Sequence, residues 1–194
     1  MAEEVCNEDE CGLTAGRRGY CKVHYMKYWH ADKSKLKPLP TAEERFWSKV
    51  EKTEGCWNWT EQLNHAGYGT MLVGGRAGKI WLAHRYSYSM ANGEIAPGVE
   101  IDHKCLNRQC VNPEHLRSAT KKQNMENRAG AQKNSKSGVR GVCWEPRRSK
   151  WRAVVKHNRV QVHVGTFETL AEAEAAVIAK RNELFTHNEL DRTA

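Results

Sequence analysis

One segment of the chain, residues 101–116, contains most of the side chains that could perform chemistry. Its carboxylate, imidazole, thiol and amide groups belong to Asp102, His103, Cys105, Cys110, Asn112 and His115. An imidazole titrates near neutral pH and can accept a proton from water, and carboxylate and amide oxygens are ligands that Mg²⁺ prefers. Thiolates suit zinc instead. The segment therefore predicts two separate sites, one for chemistry and one for a structural metal.

The hypothesis for Asp102, His103 and the later Asn124 is a centre for metal-assisted hydrolysis of a phosphodiester. This reaction needs a base for the attacking water and a cation at the developing negative charge. His103 is the candidate base, and Asp102 and Asn124 are candidate ligands of the cation. Because adjacent residues of a flat strand point to opposite faces, Asp102 and His103 can share a site only at a frayed or bulged strand end. Cationic side chains that could stabilise the transition state are Arg76, Lys79 and Arg85.

The seven cysteines divide into two predicted zinc sites and one remaining thiol. Each site combines three cysteines with one histidine, at spacings typical of zinc ligands. The first site comprises Cys6, Cys11, Cys21 and His24, and the second comprises Cys56, Cys105, Cys110 and His115. Cys143 is left over. The alternatives are unrelated thiols in a frayed acidic leader and, in the centre of the chain, free buried thiols.

The charge balance favours a polyanionic partner. Lysine and arginine number 31 against 23 aspartates and glutamates, which gives a net charge of +8 at pH 7. Nucleic acid is the first expectation for such a partner, and an anionic membrane surface is the alternative. No apolar run approaches the roughly 18 residues of a membrane span, and the acidic N-terminus lacks the apolar stretch of a signal peptide. We therefore expect a cytoplasmic protein whose cysteines bind metal rather than form disulfides.

Local patterns predict the elements that would position these residues. Capping boxes that begin helices are expected at residues 41–44, 120–123 and 169–172. A further helix is expected over residues 80–90, ended by Asn92-Gly93, and glycine turns predict two short strands near residues 56–59 and 67–75. Strands are also expected over residues 139–144, 150–157 and 160–167, followed by an alanine-rich helix to about residue 185.

The central pattern resembles the HNH endonucleases of the ββα-metal superfamily, in particular the phage and intron homing endonucleases that overlap with the His-Cys box group. The matching residues are Asp102-His103-x-Cys105-x4-Cys110-x-Asn112-Pro113-x-His115-Leu116, followed by Asn124. The resemblance implies that His103 is the general base and that Asp102 and Asn124 hold Mg²⁺, with Mn²⁺ as the alternative. It also implies that Asn112 pins the loop that orients the base. It assigns zinc to the second cysteine site, although in relatives without the cysteines the histidine equivalent to His115 ligates the catalytic metal.

The C-terminal segment resembles the plant APETALA/ethylene-response DNA-binding domain. The matching residues are Gly138-Val139-Arg140-Gly141-Val142, Trp144, Lys150-Trp151-Arg152-Ala153 and Val164-Gly165-Thr166-Phe167. The resemblance implies a three-stranded sheet that enters the major groove, with the helix behind it. The residues expected to contact DNA are Arg140, Trp144, Arg147, Arg148, Lys150, Trp151, Arg152, Lys156 and Arg159. The alternative is a solvated, charged sheet face.

The expected fold is α+β, with a small zinc-stapled ββα-metal nuclease core. An N-terminal zinc-binding module at residues 1–32 and a C-terminal sheet-plus-helix domain at residues 138–190 would flank this core at residues 41–130. Residues 31–40 and 130–138 would be linkers. We expect each part to be too small to be held by its apolar core alone, which points to structural metal.

The function expected from these features is site-directed cleavage of double-stranded DNA, by an endonuclease of the homing or phage type. One active site per chain suits nicking by a monomer, whereas symmetric cutting of both strands needs a homodimer. The alternatives are a catalytically inactive, zinc-stabilised DNA-binding regulator and an RNA-binding protein. Magnesium-dependent scission of DNA would distinguish the enzyme from both.

Overall fold

The structure, a computed structural model, describes residues 4–128 and 130–193. The chain folds into two compact units, with the boundary between Ser48 and Lys49. The sheets are small; the elements of the first unit are helical, whereas the second unit contains both strands and helices. None of the helices in the described part of the chain has the length and apolar character that crossing a membrane requires.

The first unit consists of short helices that follow the first cysteine set. Its elements are α1 (Lys22–Ala31), a 3₁₀ turn (Lys33–Lys35) and α2 (Ala42–Trp47). The predicted capping box at α2 is confirmed: the Thr41 hydroxyl accepts from the Glu44 main chain at 3.1 Å, and the Glu44 carboxylate accepts from the Thr41 main chain at 2.7 Å. The buried residues of this unit include two of the thiols and three apolar or aromatic side chains: Cys6, Cys21, Tyr28, Leu36 and Phe46.

The second unit begins with two antiparallel hairpins and a helix. These elements are β1 (Val50–Lys52), β2 (Trp57–Trp59), β3 (Thr70–Val73), β4 (Lys79–Leu82) and α3 (Ala83–Asn92). The prediction of a helix from residue 80 was wrong for its first three residues, because β4 pairs with β3 in the register Met71 to Trp81. Branched and aromatic side chains such as those of Ile80 and Trp81 favour a strand once a partner strand is present.

Two paired strands followed by a helix come next. They are β5 (Glu100–His103), β6 (Leu116–Ala119) and α4 (Lys121–Glu126), and a twelve-residue loop (104–115) joins the strands. The pairing of β5 with β6 is regular up to His103, which lies opposite Leu116. The predicted capping box of α4 is present, since Thr120 and Gln123 each accept from the other's main chain. The strand that carries Asp102 and His103 is therefore not frayed at either residue.

A three-stranded antiparallel sheet and two helices complete the second unit. Their bounds are β7 (Val142–Glu145), β8 (Lys150–His157), β9 (Val160–Phe167), α5 (Leu170–Leu184) and α6 (Glu189–Thr193). Buried residues from the sheet and from α5 form one core: Val142, Ala153, Val155, Ala173, Val177 and Phe185. The first strand begins later than residue 139, because Gly141 has a φ of +86° and a Cβ there would lie 2.4 Å from the Val154 carbonyl oxygen. That close approach requires glycine.

Candidate functional site

Four predicted zinc ligands of the second unit converge, with their ligand atoms within 4.8 Å of one another: Cys56, Cys105, Cys110 and His115. The His115 Nδ1 atom lies 3.6 Å from the Cys56 sulfur and 3.6 Å from the Cys110 sulfur. In tetrahedral zinc, bonds of about 2.3 Å to sulfur and about 2.0 Å to nitrogen separate these two kinds of ligand by about 3.6 Å. The donor set and its spacing therefore fit zinc, and they favour the structural role for His115 over ligation of a catalytic metal.

Main-chain contacts with β2 hold the cysteine loop in place. Trp59 donates its main-chain N–H to the Gln109 carbonyl at 2.9 Å, and Val111 donates to the Trp57 carbonyl at 2.7 Å. The side chain of Asn112 accepts from the Glu114 main chain at 3.0 Å and donates to the Gly55 carbonyl at 3.2 Å. The loop is thus attached on both sides of Cys110, and the Asn112 side chain links it to Gly55.

One thiol of this cluster, that of Cys110, is favoured in its ionised form. The hydrogen bond from Cys105 lowers the pKa of the Cys110 thiol to about 4, and the same contact raises the pKa of Cys105. Cys110 is therefore a thiolate at neutral pH, which is the form that binds metal. All seven cysteines are free rather than disulfide-bonded.

The first unit holds a second cluster of the same composition. The ligand atoms of Cys6, Cys11, Cys21 and His24 also lie within 4.8 Å of one another. The His24 Nδ1 atom is 3.5 Å from the sulfurs of Cys6 and Cys21, and the Cys11 and Cys21 sulfurs are 3.8 Å apart. Two sulfurs on a tetrahedral zinc are separated by about 3.8 Å, whereas a disulfide would bring them to about 2 Å. This cluster therefore also fits zinc.

Asp102 is anchored on two sides. Its carboxylate is only 4 % exposed. Arg117 donates from Nε to Asp102 Oδ2 at 3.0 Å, and its Nη2 lies 2.9 Å from the same oxygen. The amide nitrogen of Asn127 lies 3.1 Å from Oδ1 and 3.0 Å from Oδ2. Among the described residues, Oδ1 accepts from Asn127 alone, which leaves that oxygen with a lone pair for a cation.

The orientation of the Asn127 amide follows from its three partners. Its Oδ1 accepts from the Glu189 main-chain N–H at 3.1 Å, which can only donate. Its nitrogen therefore faces Asp102 and the His103 carbonyl oxygen, at 3.0 Å from the latter, and both of these can only accept. This role is not predictable from the sequence, because the partners of Asn127 are distant in the chain. Asn127 holds Asp102 and the end of β5 in place.

His103 is a buried, neutral imidazole, and one of its two ring nitrogens makes a hydrogen bond. The side chain is 6 % exposed, and its Nε2 lies 3.0 Å from the Cys110 carbonyl oxygen. Because a carbonyl only accepts, Nε2 carries the proton and Nδ1 retains the lone pair. Burial lowers the pKa of His103 below its ordinary value, against an opposing effect of the Cys110 carbonyl. The ring is therefore an unprotonated base at neutral pH.

A second buried histidine lies against the first. The ring centroids of His84 and His103 are 4.7 Å apart, and the Tyr68 ring lies 5.1 Å from His84. Burial, with a contribution from His103, lowers the pKa of His84 to about 3. His84 is therefore uncharged, and it does not oppose the protonation of His103 by carrying a positive charge of its own.

One cavity of about 430 Å³ brings the catalytic candidates together: its lining includes Asp102, His103, Asn124 and Asn127. Because β5 is regularly paired, Asp102 and His103 line the same cavity without the fraying or bulging that the sequence led us to expect. Asn124 donates its amide nitrogen to a Glu100 carboxylate oxygen at 2.5 Å, so its Oδ1 is the atom that could bind a cation.

The cations that line this cavity differ from those proposed from the sequence. They are Arg108, Arg128 and Lys133. Arg108 donates to the Ala66 carbonyl at 2.8 Å and lies over the Tyr68 ring. Arg85 donates to the Val99 carbonyl, and neither it nor Lys79 lines the cavity. The side chain of Arg76 lies outside the described part of the chain.

The expected DNA-contacting residues occupy several positions in the C-terminal sheet. Alternation along β8 places Lys150, Arg152 and Lys156 on the face opposite the buried Ala153 and Val155. The turns on either side of β8 carry Arg147, Arg148 and Arg159, all exposed. Trp144 is 45 % exposed and contacts Trp151, which packs against the core. Arg140 lies apart from these residues, since it donates to the carbonyls of Glu126 and Met125 at the end of α4.

Comparisons with known proteins find similarity over the segment that contains the candidate site. Residues 82–126 match the family model described as HNH endonuclease. Protein 7.7 of Escherichia phage T7 is 37% identical over 73 residues, which are 38% of this chain and 54% of that protein. Protein 2.8 of the same phage is 36% identical over 82 residues, which are 42% of this chain and 55% of that protein. The uncharacterized gene 5.3 protein of Enterobacteria phage T3 is 40% identical over 66 residues, which are 32% of this chain and 65% of that protein.

The chain thus spans between about half and two thirds of the length of these relatives. No solved structure matches it significantly. The matched segment contains Asp102, His103 and Asn124 and ends one residue before Asn127. The part of the chain that carries the candidate site is therefore similar to an HNH endonuclease, a similarity that suggests a nuclease acting on nucleic acid.

Proposed function

We propose that this protein is a metal-dependent DNA endonuclease with one active site per chain. The observation that carries the proposal is the cavity shared by a neutral, oriented His103 and an anchored Asp102. The similarity of residues 82–126 to HNH endonucleases supports the same reaction class. The two strands and helix formed by β5, β6 and α4 would be the ββα-metal core that the sequence suggested.

In this proposal His103 is the general base. Its Nδ1 accepts a proton from a water molecule, and the resulting hydroxide attacks the phosphorus of the scissile phosphodiester. The Cys110 carbonyl keeps the ring oriented by accepting from Nε2. As the bond between phosphorus and the leaving oxygen breaks, negative charge develops near the cations that line the cavity, of which Arg108 and Arg128 are the exposed arginines.

Asp102 and Asn124 are the proposed ligands for Mg²⁺. Both line the cavity, and Asp102 Oδ1 and Asn124 Oδ1 are hard oxygens of the kind this ion selects. When bound, the ion would neutralise charge on the phosphate in the transition state. Mn²⁺ has similar ligand preferences and is the proposed substitute.

The outer face of the C-terminal sheet is the proposed DNA-binding surface. Lys150, Arg152 and Lys156 alternate along β8 on this face, where lysines can neutralise phosphates and arginines can also read guanine edges. A nuclease core this small has little surface for specifying a long site, so a separate binding surface supports site-directed cutting of the homing or phage type. Two structural zincs would hold the loop of the core and the first unit.

Titration of Mg²⁺ with wild-type protein and Asn124→Ala tests the assignment of the metal ligands. We expect wild-type protein to cleave supercoiled and linear DNA only with added Mg²⁺. The Asn124→Ala variant should need a Mg²⁺ concentration that is higher by about ten-fold or more. Asn92→Ala, at an exposed end of α3, is the matched control. Binding of DNA without scission would support the rival function, a catalytically inactive regulator. An unchanged Mg²⁺ requirement in Asn124→Ala would remove Asn124 from the metal site.

A further inference from the structure

Glu189, near the C-terminal end of the chain, makes two contacts with the residues around the candidate active site. Its carboxylate oxygen lies 2.6 Å from Arg117 Nη1, and its main-chain N–H donates to Asn127 Oδ1 at 3.1 Å. Glu189 is 72 residues from Arg117 and 62 from Asn127 in sequence. It also lies far beyond the segment that is similar to HNH endonucleases. The contacts therefore come from a part of the chain to which that similarity assigns nothing.

Both partners of Glu189 hold the same carboxylate. Arg117 contacts Asp102 Oδ2 through Nε and Nη2, and Asn127 donates to both oxygens of Asp102. Glu189 is thus connected to Asp102 in two ways. Its carboxylate contacts Arg117, and its main-chain N–H contacts Asn127. A contact that served only to dock the C-terminal segment would not need to converge on this carboxylate.

Neighbouring contacts keep the segment around Glu189 against α4. The Glu126 carboxylate, which is buried, accepts from the Thr186 main chain at 3.2 Å. Arg140, whose guanidinium lies over the ring of Phe185, donates to the Glu126 carbonyl at 2.8 Å. These bonds lie beside Asn127 in the chain, so Glu189 is held at a defined distance from Asp102.

We infer that Glu189 is a positioning residue of the nuclease centre, acting on Asp102 through Arg117 and Asn127. This inference rests on the proposed function. The charges of Asp102, Arg117 and Glu189 sum to −1, and neutralising Glu189 would bring the sum to zero. A divalent cation binds less well to the neutral arrangement, and Arg117 would then pair with Asp102 without a competing carboxylate. The side chains of Glu189 and Arg117 are 28% and 21% exposed, so solvent screens this effect only in part.

The test compares wild-type protein with Glu189→Gln. The substitution removes the charge but preserves the main-chain contact with Asn127, so it isolates the path through Arg117. We expect the dissociation constant for Mn²⁺ alone, measured by calorimetry without DNA, to rise about ten-fold, as is typical when a partner of a metal ligand is changed. Cleavage should need correspondingly more Mg²⁺, and the melting temperature should change little. Glu189→Asp, which keeps the charge, should restore part of the Mn²⁺ affinity.

Glu183→Gln is the matched control, because Glu183 forms an exposed pair with Lys180 on α5 of the same module. It should leave Mn²⁺ affinity unchanged. In the Arg117→Gln background, Glu189→Gln should lower Mn²⁺ affinity less than it does in the wild-type background, because the contact through Arg117 is gone and only the screened direct charge of Glu189 remains. Equal Mn²⁺ affinity in wild-type protein and Glu189→Gln would overturn the inference even if both cleave DNA. Absence of cleavage by wild-type protein would instead refute the proposed function.

Discussion

His103, the proposed general base, owes its neutral state and its orientation to two features of its surroundings. The Cys110 carbonyl determines which ring nitrogen carries the proton, and burial keeps the ring neutral. Cys110 is also a ligand in the predicted zinc site, through its sulfur. One residue therefore connects the predicted zinc site to the candidate base, and the orientation of His103 depends on the conformation of the loop.

The rate of DNA cleavage should be independent of pH around neutrality and should fall only under acidic conditions. Since burial lowers the pKa of His103 below 6.5, the ring becomes protonated, and loses its function as a base, only below that value. The measurement is kcat/KM against pH at saturating Mg²⁺. A rate that still rises between neutral and mildly alkaline pH would contradict the assignment of His103 as the base with a lowered pKa.

Asn127→Asp should destabilise the protein as well as lower its activity. A carboxylate at this position cannot donate to Asp102 and places a like charge against it, in a buried site. The loss of a buried hydrogen-bond donor corresponds to about 1–3 kcal/mol, and the added charge increases it. Denaturant unfolding monitored by tryptophan fluorescence measures the change. Asn92→Asp, at an exposed position, is the control, and equal stability of the two variants would show that Asn127 does not hold Asp102.

At the scale of elements, the loop between β5 and β6 carries most of one predicted zinc site. It contributes three of the four ligands of its cluster, and it has main-chain contacts with β2 on both sides of Cys110. The strands that it joins are only four residues long each. Such short elements have little apolar surface to bury, so a metal that fixes the loop also fixes the strands.

Cys110→Ser should reduce the zinc content from two ions per chain to one and should unfold much of the second unit. Both clusters have a donor set that fits zinc, and removing one thiolate leaves an incomplete site. Elemental analysis of the purified protein and thermal unfolding followed by circular dichroism are the measurements. Cys143→Ser, which changes a thiol outside both clusters, should retain two zincs and the wild-type melting temperature. Full stability of Cys110→Ser would refute the structural role of this cluster.

Features that follow from local sequence patterns, or from the chemistry of individual residue types, were predictable from the sequence. The helix starts at Thr41, Thr120 and Thr169 follow from a local capping pattern, and both Cys/His sets follow from the ligand chemistry of their members. The strand over Lys79–Leu82 was missed because it depends on pairing with β3. The roles of Arg117, Asn127 and Glu189 were missed for the same reason, since each is defined by partners far away in the sequence.

At the scale of the whole molecule, the effect of the net charge of +8 depends on where the positively charged side chains lie. Several of them are on the outer face of the C-terminal sheet, and others line the cavity that contains Asp102 and His103. The sheet module is attached to the end of the segment that is similar to HNH endonucleases by Arg140, Thr186 and Glu189, in addition to the chain itself. DNA held on the sheet would therefore have a defined relation to the candidate active site.

Replacing both Arg152 and Lys156 by alanine should weaken DNA binding and reduce its dependence on salt. Each phosphate contact that is lost lowers the slope of log K against log salt by about one, so the double variant should lose about two. Fluorescence anisotropy at several salt concentrations, without divalent metal, measures the slope. Lys180→Ala removes a cation on α5 that is paired with Glu183, and it should leave the slope unchanged. An unaltered slope in the double variant would place the DNA elsewhere.

Cleavage of supercoiled plasmid DNA by wild-type protein and His103→Ala, with and without Mg²⁺, tests the central claim most directly. We predict that wild-type protein cuts the plasmid only when Mg²⁺ is present. Loss of the base should lower the rate by roughly 100-fold to 10,000-fold, while zinc content and DNA affinity stay at wild-type levels. Wild-type protein that binds DNA without cutting it, or a His103→Ala variant that cuts at the wild-type rate, would contradict the account.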